Sequence, residues 1–368
     1  MATQDHLHSP LRGKKRVLIV RTGAMGDVLH ALPAVVALRK AHPDWFIGWV
    51  IEPRWRPLMS AVMADSTQLP VIDCAYPAHT REWSKRPFST WTVSDIARLR
   101  RLIRSDRFDL CVDLQGSIRS ATIGKLAGAG QFAGPAEPRE MPARWLYGRR
   151  LQTKAVHVIE QACEWIGDAV GEFISPVPID FPIDEDAEKK CKTILNGLMA
   201  EKQGYALIAP TAGWGAKQWP AERFGAVASK LGKLGIPSLV NASAPGDLTA
   251  RRVVETSEGY AAMARADIPL LIELTRRASV VIAGDTGPLH LAAALRRPVV
   301  ALFGPTDPAR NGPYGTMARV LRHGGARRDH RRLAEPEAGL LEITVDEVAD
   351  AAIELLKGPQ LRRTGQVR

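Results

Sequence analysis

No apolar run in the sequence approaches the roughly 20 residues that a helix needs to cross a bilayer. The N-terminus, polar and then basic from Met1 to Lys15, has no apolar secretory core. Both absences lead us to expect a chain that stays in the cytoplasm. Cysteine is scarce: Cys74, Cys111, Cys163 and Cys191 are scattered without CxxC or Cys/His spacing. That argues against a structural zinc or a disulfide framework and for buried, reduced thiols. Aromatic residues are only 6% of the chain and are not interleaved with basic ones, and no helix-turn-helix or zinc-finger spacing is present. A nucleic-acid platform is therefore not expected. No internal repeat or low-complexity segment stands out, and no DxD-like metal motif sits where chemistry would need it.

What is present is an ordinary globular composition over 368 residues, more than one core supports comfortably. Lys and Arg number 50 against 39 acidic residues, a formal charge of +11. An excess of this size favours anionic partners, with acidic lipid head groups and phosphorylated sugars among them.

Strand and helix signals alternate in both halves. Arg16–Val20 is a short apolar run of the kind found in strands covered on both faces. Apolar residues at helical spacing predict a helix over Val28–Lys40, with Pro33 inside it. Phe46–Ile51, Leu69–Cys74 and Asp109–Leu114 read as strands, and Pro53–Ala64, Val93–Ser105, Ser117–Leu126 and His157–Val170 as helices. Pro176, Pro178 and Pro182 mark a linker between Gly171 and Asp184. Beyond it, strands are expected at Tyr205–Pro210, Ile236–Asn241, Ser279–Gly284 and Pro298–Gly304. Helices are expected at Glu185–Met199, Ala221–Leu234, Leu248–Thr256, Leu270–Ala278, Gly287–Leu295 and Val345–Leu356. Such alternation predicts an α/β chain with two parallel sheets, each covered by helices on both faces, whose ligands bind at the carboxyl ends of the strands. The domains are expected at 1–175 and 185–345, followed by a C-terminal helix and tail at 346–368.

Four segments follow strands and could carry chemistry. In Arg21-Thr-Gly-Ala-Met-Gly-Asp-Val-Leu-His30, Gly23 and Gly26 permit tight turns and Asp27 stands at a helix start. On spacing alone Asp27 is adequately explained as an N-cap, and His30 as a packed or surface histidine. The third glycine of the dinucleotide fingerprint is missing, which argues against a Rossmann dehydrogenase. In Ala283-Gly-Asp-Thr-Gly-Pro-Leu-His-Leu-Ala292, a strand runs into a helix whose first turn holds Pro288. Its free N–H groups and positive dipole end make an anion site. Two glycines with Asp285, Thr286 and His290 exceed what a cap requires. Pro210-Thr-Ala-Gly-Trp-Gly-Ala-Lys-Gln-Trp-Pro220 is a donor-rich loop with one lysine. It is either a pyrophosphate clamp or a solvated loop. Phe303-Gly-Pro-Thr-Asp-Pro308 taken alone is a turn.

Together these segments resemble the ADP-heptose:lipopolysaccharide heptosyltransferases, glycosyltransferase family 9, and most of all its type I members. The likeness rests on Val17–Val20 with Met25-Gly-Asp-Val-Leu-His30 and Leu32-Pro33, on Asp113-Leu-Gln-Gly116 with Ser120-Ala121, and on Lys217 with Trp219-Pro220. It continues through Asp285-Thr-Gly287 with His290, and Gly304-Pro-Thr-Asp-Pro308 with Tyr314-Gly315. The matches run in order over nearly the whole chain. The resemblance implies a GT-B architecture, two Rossmann-like domains with parallel sheets facing across a cleft, the first taking the acceptor and the second the nucleotide sugar.

Residue by residue, the resemblance implies that Asp27 is the general base and that Lys217 contacts the donor's phosphate and sugar. It implies that Asp285, Thr286 and Gly287, with His290 nearby, hold sugar hydroxyls and pyrophosphate. Asp247 falls where the type I members carry a glutamate for the ribose, so the charge is kept on a shorter arm. The loop at Ala212 and Gly213 lacks the paired threonine hydroxyls of some members, leaving backbone amides or Thr211 to meet phosphate. Gly26, Arg81, Gln115, Arg119 and Arg139 fall at acceptor-side positions, although any one of these arginines reads equally well as a solvated surface residue. The implied donor is ADP-heptose and the implied acceptor an anionic Kdo residue of Kdo-lipid A, reached from the cytoplasmic face of the inner membrane as a peripheral protein. Neither cofactor nor metal is expected. A second-heptose enzyme of the same family, or a nucleotide-binding protein without catalysis, would share many of these features. Arg327–Arg332 is a charged run that reads as a solvated loop, or as a segment that meets a membrane or closes over substrate.

Overall fold

The computed structural model describes residues 15–59, 70–181, 183–198, 204–325 and 334–358. The chain divides at Pro178 and Ile179 into two compact units. The charged run Arg327–Arg332 lies outside the described residues.

In the first unit the order is β1 (Arg16–Val20), α1 (Met25–Ala41), β2 (Phe46–Ile51), β3 (Cys74–Pro77), α2 (Thr80–Lys85) and α3 (Thr90–Ser105). It continues with β4 (Leu110–Asp113), α4 (Ile118–Ala127), β5 (Gln131–Pro135), β6 (Arg149–Leu151) and α5 (Val158–Val170). The strands form one parallel sheet in the order β3-β2-β1-β4-β5-β6. Val17 to Val20 are fully buried, as a central strand with helices on both faces requires. α1 is buried almost all round and packs on α5, so its apolar residues show little one-sided patterning. Its buried Arg39 is matched by Asp73 and by the carbonyls of Trp45 and Pro43 at 2.7 and 3.2 Å, leaving no uncompensated charge in the core.

Three expectations change here. The first helix begins at Met25 rather than Val28, because Ala24, which has no capping side chain, opens it and Asp27 supplies the cap from inside the first turn. The segment after β2 is a 3-10 turn over Pro53–Leu58 rather than an α-helix; Pro57 removes a donor that an α-helix would use, and the end of the expected helix, residues 60–64, lies outside the described residues. The strand expected at Leu69–Cys74 lies later, at Cys74–Pro77.

The second unit runs α6 (Glu185–Gly197), β7 (Ala206–Ala209), α7 (Ala221–Lys233), β8 (Ser238–Ala242), α8 (Leu248–Glu255), β9 (Ala261–Arg265), α9 (Ile268–Arg277) and β10 (Val280–Gly284). It ends with α10 (Gly287–Ala294), β11 (Val299–Leu302), α11 (Pro308–Asn311), β12 (Ala318–Leu321), α12 (Ala338–Glu342) and α13 (Val345–Lys357). Its parallel sheet has the order β12-β11-β10-β7-β8-β9. Alternate residues of each strand feed two cores. Ala206 and Ile208 join α7 and α13 on one face, while Leu207 and Ala209 join α6 and α9 on the other. Val348, Ala352 and Leu355 of α13 sit in the first of these cores, so the last helix is part of this unit's packing.

Each sheet reverses its winding at one place: between β1 and β4 in the first unit, and between β7 and β10 in the second. At such a switch the loops leaving two neighbouring strands diverge to opposite faces, and a crevice opens at the strands' carboxyl ends.

Candidate active site

In the first unit, the loops after β1 and β4 flank the switch and are tied to each other. The Gln115 side-chain carbonyl accepts from both the N–H and the hydroxyl of Thr22, each at 2.8 Å. The buried Asp113 sets the β4 loop. It accepts from the N–H groups of Gln115 and Gly116 at 2.8 and 3.3 Å and from Ser120 and Tyr147 at 2.9 and 2.8 Å. Burial pushes its carboxyl above the usual range, and these hydrogen bonds oppose the shift.

Two glycines are demanded by geometry. Gly23 has φ +142°, and a Cβ there would lie 2.6 Å from the Trp55 indole nitrogen. Gly116 has φ +68°, and its Cβ would lie 3.0 Å from the Arg139 nitrogen.

Asp27 stands in the first turn of α1, next to Gly26, and is partly exposed. One carboxylate oxygen accepts from the Ala24 N–H at 2.7 Å and the other from Arg21 Nη2 at 2.8 Å. Arg21 also donates to the Leu114 carbonyl, which fixes its guanidinium between the two loops. The resulting carboxylate is oriented on both sides, a more specific arrangement than the simple N-cap that spacing alone suggested. Sequence reading passed over Arg21 although it opens the motif; the 3.6-residue period ties it to no helical partner. His30, by contrast, is buried, and its ring meets His157 edge-on at 6.1 Å.

The three acceptor-side arginines are all exposed. Buried Glu52 connects two of them to the β1 loop. Its N–H donates to the Thr22 carbonyl at 3.1 Å, and its carboxylate accepts from the Thr80 hydroxyl and, at 2.9 Å, from the Arg81 N–H. Arg119 in turn donates to the Thr80 carbonyl at 3.3 Å. Arg139 belongs to the loop that closes over Gly116. Glu52 carried no sequence signal, since its partners lie far along the chain.

In the second unit the loops after β7 and β10 meet in the same way. The Lys217 ammonium contacts the Asp285 carboxylate and lies 5.1 Å from the Trp214 ring centre. The other Asp285 oxygen faces His290 Nε2 at 3.0 Å. Burial raises the Asp285 carboxyl, but His290 and Lys217 outweigh it, and the group is held far below the usual carboxylate range. Thr286 is the N-cap of α10. Its hydroxyl turns back to the Gly284 carbonyl at 3.2 Å, so no side chain caps the first turn that Gly287 opens.

On the other flank, the Thr211 hydroxyl donates to Asp247 at 2.9 Å. The same carboxylate accepts from the Ser243 N–H and hydroxyl at 2.9 and 2.8 Å and from the Ala250 N–H at 3.1 Å. Burial raises the Asp247 carboxyl, and these donors more than reverse it. Asp247 is thus the N-cap of α8 and the anchor of the Thr211 loop. Gln218, unnoticed in the sequence, stitches that loop by accepting from the Ala212 N–H at 2.9 Å and donating to the Pro210 carbonyl at 2.6 Å. Around Gly213 the space is open. Among the described residues no group of three or more His, Cys, Asp or Glu side chains is placed to hold a metal ion.

The first unit thus holds an oriented carboxylate at its switch, and the second holds a cation beside an uncapped helix start at its own. The sequence profile described as glycosyltransferase family 9 (heptosyltransferase) matches residues 96–337. The chain belongs to glycosyltransferase family 9.

Among its relatives, lipopolysaccharide heptosyltransferase 1 of Salmonella typhimurium is 29% identical over 304 residues, covering 82% of this chain and 92% of the relative. Lipopolysaccharide heptosyltransferase 1 of Escherichia coli O18:K1:H7 is 28% identical, covering 92% and 99%. The solved structure of the E. coli heptosyltransferase WaaC with ADP-2-deoxy-2-fluoro heptose is 27% identical, with a TM-score of 0.71 and coverage of 92% of this chain and 99% of that one. The glycosyltransferase is therefore of the GT-B type, with two parallel six-stranded sheets.

Proposed function

We propose that this family 9 enzyme moves L-glycero-D-manno-heptose from ADP-heptose to a Kdo residue of Kdo-lipid A, with inversion at the anomeric carbon. The observation that carries the reading is the pairing of two oriented switch-point sites, Asp27 held by Arg21 and Lys217 held by Asp285. They occur in a chain similar over most of its length to enzymes named lipopolysaccharide heptosyltransferase 1.

In this reaction the acceptor hydroxyl gives its proton to the free face of the Asp27 carboxylate as its oxygen bonds the anomeric carbon. The bond from that carbon to the diphosphate breaks on the opposite side, and ADP leaves with the electron pair. Arg21 positions the base. Lys217 and the N–H groups at the start of α10, which Thr286 leaves uncapped, meet the charge that grows on the diphosphate. Asp285 acts through Lys217 and His290 rather than on the sugar, because its carboxylate is buried between them whereas that of Asp27 is partly exposed. Thr211, Gly213 and Asp247 shape the loop that receives the nucleotide. Arg81, Arg119 and Arg139, with Gly26 and Gln115 beside the base, receive the acceptor's carboxylate and phosphates, for which a guanidinium fork is suited. The work takes place at the cytoplasmic face of the inner membrane. Among the described residues no helix is long and apolar enough to cross a membrane.

The test is incubation with ADP-heptose and purified Kdo-lipid A, followed by mass spectrometry. A product heavier by one heptose is expected; transfer only from another nucleotide sugar, or only to an acceptor that already carries a heptose, overturns the assignment.

A further inference from the structure

Five of the large apolar side chains that the first unit leaves exposed lie in neighbouring segments, while Phe173, 92% exposed, stands apart after α5. Phe88 is 96% exposed, Trp91 50% and Trp145 76%, and Ile118 and Met141 are exposed beside them. Phe88 and Trp91 flank the start of α3 and Ile118 opens α4, both helices following strand ends, and Met141 and Trp145 lie in the 3-10 turn between β5 and β6. Contacts join those segments into a continuous surface. Trp91 meets the His79 ring at 5.7 Å, just before α2. Arg119 bonds the Thr80 carbonyl at 3.3 Å. The N–H of Ile118 donates to Glu140 at 2.8 Å, and Glu140 opens the 3-10 turn that carries Met141 and Trp145.

Around these rings stand the exposed cations Arg81, Lys85, Arg86, Arg119 and Arg139, which outnumber the exposed carboxylates Glu82, Glu137 and Glu140 of the same segments. An apolar cavity of about 240 Å³ between α3 and α4, walled by Trp83, Leu99 and Ile123 with Arg119 at its side, continues the same face.

Ordinary water-facing surfaces rarely expose contiguous aromatic and aliphatic groups of this kind, and those that do are binding sites. The mixture of tryptophan and phenylalanine with lysine and arginine matches one environment in particular. In the interface of an anionic bilayer, rings sit at the acyl boundary while cations meet the head groups. We infer that this edge of the first unit, led by Phe88 and Trp145, is a docking surface for an anionic lipid bilayer. The inference rests on the proposed glycolipid acceptor and names how it is reached. Asp27 follows β1 at the same edge of the same sheet, so the acceptor's sugar meets the base while its lipid stays in the membrane.

The experiment is co-sedimentation of the full chain with vesicles of mixed phosphatidylglycerol and phosphatidylcholine, against vesicles of phosphatidylcholine alone. Binding is expected to the anionic vesicles only, and to weaken when salt is raised well above physiological levels. The double variant Phe88→Ser with Trp145→Ser should lower the bound fraction roughly tenfold while its melting temperature and ADP binding stay at wild-type values. Failure of the wild-type chain to bind anionic vesicles, equal binding to both vesicle types, or unchanged binding by the double variant each overturns the inference. Sedimentation reads no sugar transfer, so it succeeds or fails separately from the assignment of donor and acceptor. If both hold, the double variant loses turnover on vesicle-borne acceptor and keeps it on a deacylated one.

Discussion

Arg21 and Asp27 are joined by a 2.8 Å ion pair that spans the turn between β1 and α1, and the second Asp27 oxygen is held by the Ala24 N–H. The carboxylate thus has one fixed direction in which to receive a proton. Asp27→Asn keeps an acceptor for the Ala24 N–H but abolishes the base. Turnover should fall by about 10²–10⁴-fold, with ADP affinity by calorimetry within a factor of two or so of wild type. Arg21→Ala should lower turnover by at least about tenfold with the donor KM unchanged, and Arg21→Lys should recover only part of it. A loss of ADP affinity matching the loss of turnover in Asp27→Asn would remove the base assignment.

Lys217 carries two roles that a single substitution exposes together. It is the proposed diphosphate contact, and it also neutralises buried Asp285. Lys217→Ala should raise the donor KM more than the acceptor KM. It should also destabilise the fold by up to about 3–5 kcal/mol, because the buried carboxylate keeps only His290 beside it. Chemical denaturation measures the second effect. The double variant Lys217→Met with Asp285→Asn, which removes both charges, should regain much of that stability without regaining donor affinity.

The depressed Asp285 carboxyl makes a statement about acid stability. A carboxyl whose folded pKa lies below its ordinary value, about 3.9, stabilises the fold fully above that value and loses the contribution as pH falls toward the folded pKa. The groups that depress it are His290 and Lys217. The stability advantage of wild type over Asp285→Asn should therefore hold through mildly acidic pH and shrink below about pH 4, as read by denaturant titrations at each pH. An advantage that grows on acidification would contradict the ion-pair account.

Asp247 binds the Thr211 loop to the start of α8. Asp247→Ala should remove the helix cap at a cost of about 0.5–2 kcal/mol and release Thr211. We expect a lower melting temperature and a higher KM for ADP-heptose, with a smaller change in kcat. A normal melting temperature with a collapsed kcat would instead put Asp247 at the reacting atoms.

Much of this organisation was legible in the residues. Central strands such as Val17–Val20 and Val280–Gly284 are unbroken apolar runs, because strands buried on both faces admit no polar alternation. Edge strands were not legible: two of the three residues of Arg149–Leu151 are arginine, and Ala318–Leu321 has exposed residues at its centre. Their strand character comes from hydrogen bonds to β5 and β11, not from their own composition. The start of α1 was misread for a related reason: Ala24 offers no capping side chain, and the box is closed from Asp27 instead.

The motifs around Asp27, Lys217 and Asp285 could be found without coordinates, since a glycine-rich turn between an apolar strand and a helix leaves a local signature. Which side chains face one another could not. Lys217 is 68 residues from Asp285, Arg21 is 93 from the Leu114 carbonyl, and Glu52 gathers Thr22 from the β1 loop and Thr80 and Arg81 from the start of α2. Local order alone determined that strands and helices alternate and where glycine-rich turns join them. The parallel register of each sheet decided the partners, because it brings the ends of strands distant in sequence to one edge, where a charge is oriented only by neighbours the chain order does not reveal.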